Sequence, residues 1–198
     1  MLNTTLASAM ILVLSGGALL AQDSVYTEID LEAGCTVTEQ IEEGSFMAFL
    51  CDGLPGYPVR LAEGDLRQFM QFGDVAPAQR RSQTFGPWNQ VNRVVEWRLS
   101  DGRHFATILR WFIENVNRST GSADPALRGQ ILVISTVAGP AGGESCMVGM
   151  IDAMANPEAN LLARQVADTL ARDFDCAGDH PRYHGMRGPL APEPPVGG

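Results

Sequence analysis

Charged and aromatic side chains that could recognise a partner lie close together in the middle of this chain. They are Trp88, Asn89, Glu96, Arg98, Arg110 and Trp111. Aromatic and arginine side chains contribute much of the binding energy in protein interfaces, so this combination predicts a recognition surface. The plainer interpretation is a solvated sheet face that carries one cross-strand ion pair.

Two other functions would need different features. A hydrolase could use Asp65 or Glu96 as a general base near Arg98, which requires a deep pocket and a carboxylate whose pKa is raised. A secreted enzyme inhibitor needs a rigid protruding loop, and the irregular segment 74–90 is the candidate for it. We favour binding without catalysis and assign no catalytic residue.

The remaining chemistry-bearing residues form no recognisable motif. His104 lies beside a turn, where a packed and hydrogen-bonded imidazole is expected. His180 and His184, with Asp179, could bind a soft divalent ion, but nothing in their segment would orient them. Ser145 does not lie in a nucleophile elbow, and no glycine-rich phosphate-binding motif occurs. We therefore expect no metal and no cofactor.

A β-hairpin is predicted to position the recognition residues. Residues 94–99 and 105–111 flank a turn at residues 100–103, whose Asp-Gly centre suits a type I′ turn. With Ser100 opposite Arg103, the hairpin has a core face and a mixed face, and Arg110 points to the rim of the core face. The core pairs are Leu99–His104, Trp97–Ala106 and Val95–Ile108, and the mixed pairs are Arg98–Phe105, Glu96–Thr107 and Val94–Leu109.

Short or alternating apolar runs predict further strands. Pro55 and Pro58 favour an edge position for the strand that begins at Tyr57. The predicted strands cover residues 25–37, 46–51, 57–61, 66–72, 130–137 and 145–151.

One helix is predicted near the C-terminus, from Pro157 to about Phe174, with Asn156 as its N-cap. Its apolar stripe should pack on a sheet, while Arg164, Asp168 and Arg172 lie on the solvated side. These elements predict an α+β fold in which an antiparallel β-sheet packs against one C-terminal α-helix.

Four cysteines allow three pairings, and geometry favours one of them. The helix should run antiparallel to the preceding strand and carry Cys176 back over Cys146. Cys35 and Cys51 then pair across two neighbouring strands. The absence of a CxxC motif and of closely spaced metal ligands argues against redox and zinc roles, so we predict two structural disulfides.

The N-terminal segment 1–21 has no charged side chain, and its apolar centre is too short to cross a bilayer as a helix. It is typical of a removable signal peptide, with cleavage after Ala21 or, alternatively, after Ala18. Export would place the protein in the periplasm or outside the cell, where disulfides form.

Charge and composition limit the domain organisation and the partners. With 14 basic and 23 acidic side chains the net charge is −9, which argues against nucleic acid and against anionic membranes as partners. Residues 22–177 are long enough for a single α+β domain. The Pro-rich residues 178–198 have few apolar groups, so we expect a disordered tail.

Several segments together resemble an uncharacterised family of small secreted proteins from Gram-negative bacteria. The likeness covers roughly residues 35–176, and it implies a periplasmic or secreted location and a single domain without an assigned activity. The matching segments are Asn89, residues 95–98, 105–111 and 146–149, Asp152 and residues 156–164. We therefore predict an exported binding module for an envelope protein or peptide, without stable membrane insertion.

Overall fold

The computed structural model describes residues 23–41, 45–79 and 83–195 of the chain. The predicted signal peptide, residues 1–21, lies outside the described residues. The elements are β1 (Asp23–Glu28), β2 (Cys35–Gln40), β3 (Phe46–Leu54), β4 (Tyr57–Gly64), β5 (Arg67–Phe72), β6 (Trp88–Ser100), β7 (Arg103–Glu114), β8 (Gly129–Thr136), β9 (Met147–Asp152), α1 (Ala159–Leu170) and β10 (Arg182–Tyr183).

The strands form two sheets, and α1 makes a third layer. The larger sheet has the order β1-β6-β7-β8-β9-β10, and the smaller has the order β2-β3-β4-β5. Neighbouring strands are antiparallel except β10, which is parallel to β9. The predicted α+β class, with an antiparallel sheet against one C-terminal helix, is confirmed. No helix among the described residues is long and apolar enough to span a membrane.

Two apolar cores hold the three layers together, one on each face of the larger sheet. The first lies between the sheets and contains side chains from both, including Trp97, Trp111, Phe72, Leu61 and Val59. Burying each large apolar side chain contributes about 1.5–3 kcal/mol. The smaller sheet covers one face of the larger sheet, and α1 covers part of the other face.

The second core lies between the larger sheet and α1. The helix contributes mainly small side chains, among them Ala159, Ala163 and Ala167, and packs them on Ile108 and Ile134. Small residues let the helix approach the sheet closely. Their spacing of four residues is the predicted apolar stripe.

The predicted hairpin forms, but its register shifts by one residue beyond the turn. Ser100 faces Arg103 and Leu99 faces His104 as expected, and a bulge follows at Phe105. The observed pairs are then Arg98–Ala106, Trp97–Thr107, Glu96–Ile108 and Val95–Leu109. The expected core pairing of Trp97 with Ala106 is thus wrong, although Trp97 and Val95 still face the first core.

The edge position expected for the strand that begins at Tyr57 is also wrong. β4 lies between β3 and β5 inside the smaller sheet. Pro58 is accommodated there because it sits where the β3 register shifts, between Cys51 and Leu54. A proline needs no ladder hydrogen bond at such an irregularity.

The helix is shorter than predicted and has a different start. Its N-cap position is Glu158, without a side-chain cap, and it ends at Leu170. The Asn156 amide instead donates hydrogen bonds to the carbonyls of Asp152 and Met186 and accepts one from the Met186 backbone N–H. Asn156 therefore joins two loops and does not cap the helix.

The described part of the predicted disordered tail, residues 178–195, is packed on the domain, so that prediction is wrong. β10 pairs with β9, which would otherwise be an exposed edge strand. Tyr183 and Ala191 pack against the first core. The Tyr183 hydroxyl donates to the Pro192 carbonyl, and the Gly188 N–H donates to Asp152.

Both predicted disulfides are confirmed. Cys35 and Cys51 join the facing residues of β2 and β3. Cys146 and Cys176 link the start of β9 to the segment after α1, with their Cα atoms 5.8 Å apart. The described residues contain no free cysteine.

Candidate functional site

Two of the predicted recognition residues, Glu96 and Arg98, are buried between the larger sheet and α1. The Arg98 guanidinium donates to both carboxylate oxygens of Asp168, at 2.9 and 2.7 Å, and to the Ser24 hydroxyl. Arg164 donates to both oxygens of Glu96, at 2.6 and 3.2 Å. The ion pairs therefore run between strand and helix, and the expectations of a cross-strand pair and of a solvated helix face are corrected.

The environment of Glu96 holds its carboxylate ionised. Burial by itself raises the pKa of Glu96, but hydrogen bonds from Arg164 and Ser24 and the charge of Arg98 outweigh it, so the pKa lies below its usual value. The hydrogen bonds that Arg164 donates to Glu96 in turn raise the pKa of Arg164. A general base for hydrolysis needs the opposite shift and an unoccupied oxygen.

Asp65, the other candidate base, lies at the turn between β4 and β5. Its side chain is 84% exposed and pairs with Arg67. Asp65 and Glu96 lie in different sheets and do not share a pocket. The structure thus brings neither carboxylate into the deep polar cavity that the hydrolase alternative requires.

Trp111 and Asn89 are structural, which corrects the expectation of an exposed tryptophan beside charge. Trp111 is 1% exposed and contacts Phe85 edge-to-face at a ring distance of 5.4 Å. The Asn89 amide accepts from the Gln68 N–H and donates to the Pro87 carbonyl. The smaller sheet covers this face of β6 and β7.

The described part of the loop 74–90 does not form the protruding arm that an inhibitor would need. Phe85 is fully buried, and the buried Gln83 accepts a hydrogen bond from the Met147 N–H. The Thr84 hydroxyl donates to the Gln68 carbonyl at the edge of β5. These contacts draw residues 83–85 against the domain.

Trp88 and Arg110 lie together on a part of the larger sheet that α1 does not cover. Their neighbours Asn89 and Trp111 point into the first core, so alternation turns Trp88 and Arg110 to the opposite face, and the expected position of Arg110 on the core face is wrong. We call this part the open face and define it by Trp88, Gln90, Arg110, Phe112, Glu114 and Gln130. The register pairs Trp88 with Glu114 and places Phe112 between Gln90 and Gln130.

Arg110 differs from the other buried and half-buried arginines of the described residues. Its guanidinium donates to the Gln130 side-chain oxygen at 3.0 Å and has no carboxylate partner, and burial lowers the pKa of its guanidinium. The others form the pairs Arg60–Glu39, Arg67–Asp65, Arg98–Asp168, Arg128–Glu114 and Arg164–Glu96. A half-buried cation without an anion is costly, and a ligand carboxylate would offset that cost.

Apolar side chains border the open face beside the start of α1. Glu96 forms an ion pair with Arg164, and Arg98 forms one with Asp168, so β6 and α1 run in the same direction. Two residues of β6 lie alongside each turn of α1. This spacing places Val94 beside the first turn of α1, near Leu161. Val94 is 46% exposed and Leu161 is 49% exposed.

Phe112, Gln90 and Gln130 are not among the site residues predicted from the sequence. All three follow from the two-residue alternation of β6, β7 and β8 once those strands are extended to Trp88, Glu114 and Gly129. The sequence signal for these residues is the two-residue spacing of large apolar side chains, seen at Trp111, Ile113 and Ile131. These apolar side chains form the core face, so the residues between them lie on the open face.

The three histidines lie outside the open face. Within residues 23–41, 45–79 and 83–195, no three His, Cys, Asp or Glu side chains gather where they could hold a metal ion. His104 contacts Tyr57 edge-to-face at a ring distance of 5.0 Å. Its Nδ1 atom is buried without a hydrogen-bond partner among the described residues, so the expected hydrogen-bonded imidazole is only partly right.

No protein-family model, no curated protein and no solved structure matches this chain. The resemblance to small secreted proteins therefore stays a prediction, and the geometry of the open face carries the functional argument.

Proposed function

We propose that this protein is an exported, non-enzymatic binding module that holds an envelope protein or peptide on its open face. The partner offers a carboxylate to Arg110 and an apolar surface to Trp88 and Phe112. A periplasmic or secreted location is part of the proposal, because two disulfides suit an oxidising compartment and residues 1–21 have the pattern of a signal peptide.

The observation that carries the proposal is the unpaired guanidinium of Arg110. It is held by Gln130 next to half-buried aromatic rings, whereas the other buried and half-buried arginines of the described residues have a carboxylate partner. Arginine beside aromatic side chains is the usual composition of an interface hot spot. The chain thus keeps a cation available on a region of the larger sheet that α1 does not cover.

The geometry supports binding better than the hydrolase or inhibitor alternatives. Both oxygens of Glu96 are occupied by Arg164, and Asp65 is exposed at a turn. Residues 83–85 are packed on the domain. The open face needs no movement of these parts to receive a partner.

Photo-crosslinking tests the proposal. A photoreactive residue at Gln90, which is exposed on the open face, should capture one envelope protein in periplasmic extract of the native host. The same residue at Gln165, on the outer side of α1, serves as the matched control. Crosslinks of equal yield from both positions would contradict a specific open face.

The decisive measurement is the affinity for the captured partner once both proteins are purified. Arg110→Gln should weaken binding about tenfold, which corresponds to about 1.4 kcal/mol, and Trp88→Ala should weaken it at least as much. Arg118→Gln, an exposed arginine elsewhere, should leave the affinity unchanged. Unaltered affinity in both open-face variants would overturn the proposal.

A further inference from the structure

A cleft lies beside the turn of the β6–β7 hairpin, away from the open face. It is a cleft of about 780 Å³ between the hairpin turn, the loop 137–144 and the segment that follows α1. Binding pockets for small ligands usually measure about 300–1,000 Å³. Ser100 lies twelve residues from Trp88 along β6, roughly 40 Å, and Arg103 lies seven residues from Arg110 along β7, roughly 23 Å.

Four ring side chains line the cleft and are all partly exposed. They are Tyr57, His104, Phe105 and Phe174. His104 contacts Tyr57 and Trp97 on the side of the first core, whereas Phe105 packs against the second core, so the two residues bring rings from both faces to this end of the hairpin. Burial lowers the pKa of His104, which leaves its ring uncharged at neutral pH and suited to apolar contact. Such rings bind an aromatic or large apolar group edge-to-face.

Charged side chains of both signs stand around these rings. Arg103 and Arg172 contribute guanidinium groups, and the Arg172 guanidinium lies 4.0 Å above the Phe105 ring. Asp101, Glu144 and Asp175 contribute carboxylates. A ligand with a single charge would meet a like charge in this cleft, whereas a zwitterion meets an opposite charge at each of its ends.

We propose that this cleft binds a short peptide with free termini and an aromatic side chain. The ligand carboxylate pairs with Arg103, its ammonium group pairs with Asp101 or Asp175, and its side chain packs among the rings. The Cys146–Cys176 disulfide holds the wall formed by residues 171–176 against β9, so the cleft is shaped before the ligand enters. This site is independent of the open face.

Titration of the purified chain 22–198 with the dipeptide Phe-Ala tests the proposal. Amide NMR signals of residues 100–105, 139–141 and 171–176 should shift together, while those of Trp88 and Arg110 stay in place. N-acetyl-Phe-Ala-amide, which lacks both charges, should bind at least tenfold more weakly. Absence of binding at millimolar Phe-Ala, or equal affinity for the capped peptide, would overturn the proposal.

A charge variant at the rim separates recognition from folding. Arg103 is exposed beside the turn, so Arg103→Gln should fold normally and weaken Phe-Ala binding about tenfold. Arg118→Gln removes an equally exposed guanidinium outside the cleft and should have no effect. Equal affinities of the two variants for Phe-Ala would mean that the cleft does not bind the charged termini of the peptide. Phe-Ala is expected to shift the NMR signals of cleft residues only. A negative result would therefore contradict the cleft proposal without contradicting the open-face proposal.

Discussion

Arg98 and Asp168 form a two-point ion pair between β6 and α1, although 70 residues separate them in the chain. The neighbouring pair of Arg164 with Glu96 repeats the arrangement one helical turn earlier. Together the two pairs set the direction and axial position of α1 on the sheet. Apolar packing of small alanine side chains would specify that position less sharply.

Removing one partner of this pair should destabilise the fold strongly. Asp168→Ala removes the carboxylate that accepts two hydrogen bonds from the Arg98 guanidinium, which is nearly fully buried. We expect the free energy of unfolding in urea to fall by about 3 kcal/mol. Glu193→Ala breaks the exposed pair with Arg187, which water and salt screen, and should lower the free energy of unfolding far less. Equal losses in the two variants would show that the Arg98–Asp168 pair is not a structural anchor.

Acid should weaken the fold through His104 before any carboxylate titrates. Burial lowers the pKa of His104 below the ordinary 6.5, so the unfolded chain binds a proton that the folded chain does not. The free energy of unfolding should therefore decrease as pH falls below about 6.5. His104→Phe keeps the ring contacts and should reduce this dependence between pH 7.5 and 5.5, and the remainder should come from His184, whose pKa is also lowered by burial and by Arg182. An unchanged slope would contradict the assignment to His104.

Leu66 should be replaceable by glycine with a gain in stability. Asp65 and Leu66 form the turn between β4 and β5 with φ values of 50° and 58°, and Leu66 is 59% exposed. A left-handed conformation costs a bulky residue about 1–2 kcal/mol, and the added chain entropy of glycine offsets part of the relief. Leu66→Gly should raise the free energy of unfolding by about 0.5 kcal/mol. Leu50→Gly, at an exposed position inside β3, should lower it.

Tyr183 should matter to stability although it lies in the Pro-rich segment. Its ring packs against the first core, and its hydroxyl donates to the Pro192 carbonyl. Tyr183→Ala should lower the free energy of unfolding by about 3 kcal/mol, whereas Tyr183→Phe should cost about 1 kcal/mol. If denaturant unfolding of Tyr183→Ala matches the unmodified chain, residues 182–195 do not stabilise the domain.

Much of the architecture is local and was predictable from the residues. The Asp101-Gly102 centre determined the hairpin turn, and alternation located β3, β5, β8 and β9. The antiparallel return of α1 over β9 predicted the Cys146–Cys176 bond. These features depend on backbone preferences and on periods that are visible within a few residues.

The candidate site depended on contacts that the sequence does not display. Glu96 and Arg98 are buried because α1 supplies Arg164 and Asp168, and Trp111 is buried because a second sheet covers β7. A one-residue bulge at Phe105 also changed the partners of Val95, Glu96, Trp97 and Arg98.

The sequence by itself thus determined the fold class, the hairpin and the pairing of the cysteines, since each follows from short-range geometry. Only the tertiary structure decided which charges are paired, which sheet region stays open around Arg110, and that residues 178–195 pack on the domain. Those outcomes depend on which layer covers each face, and that is set by side chains far apart in the chain.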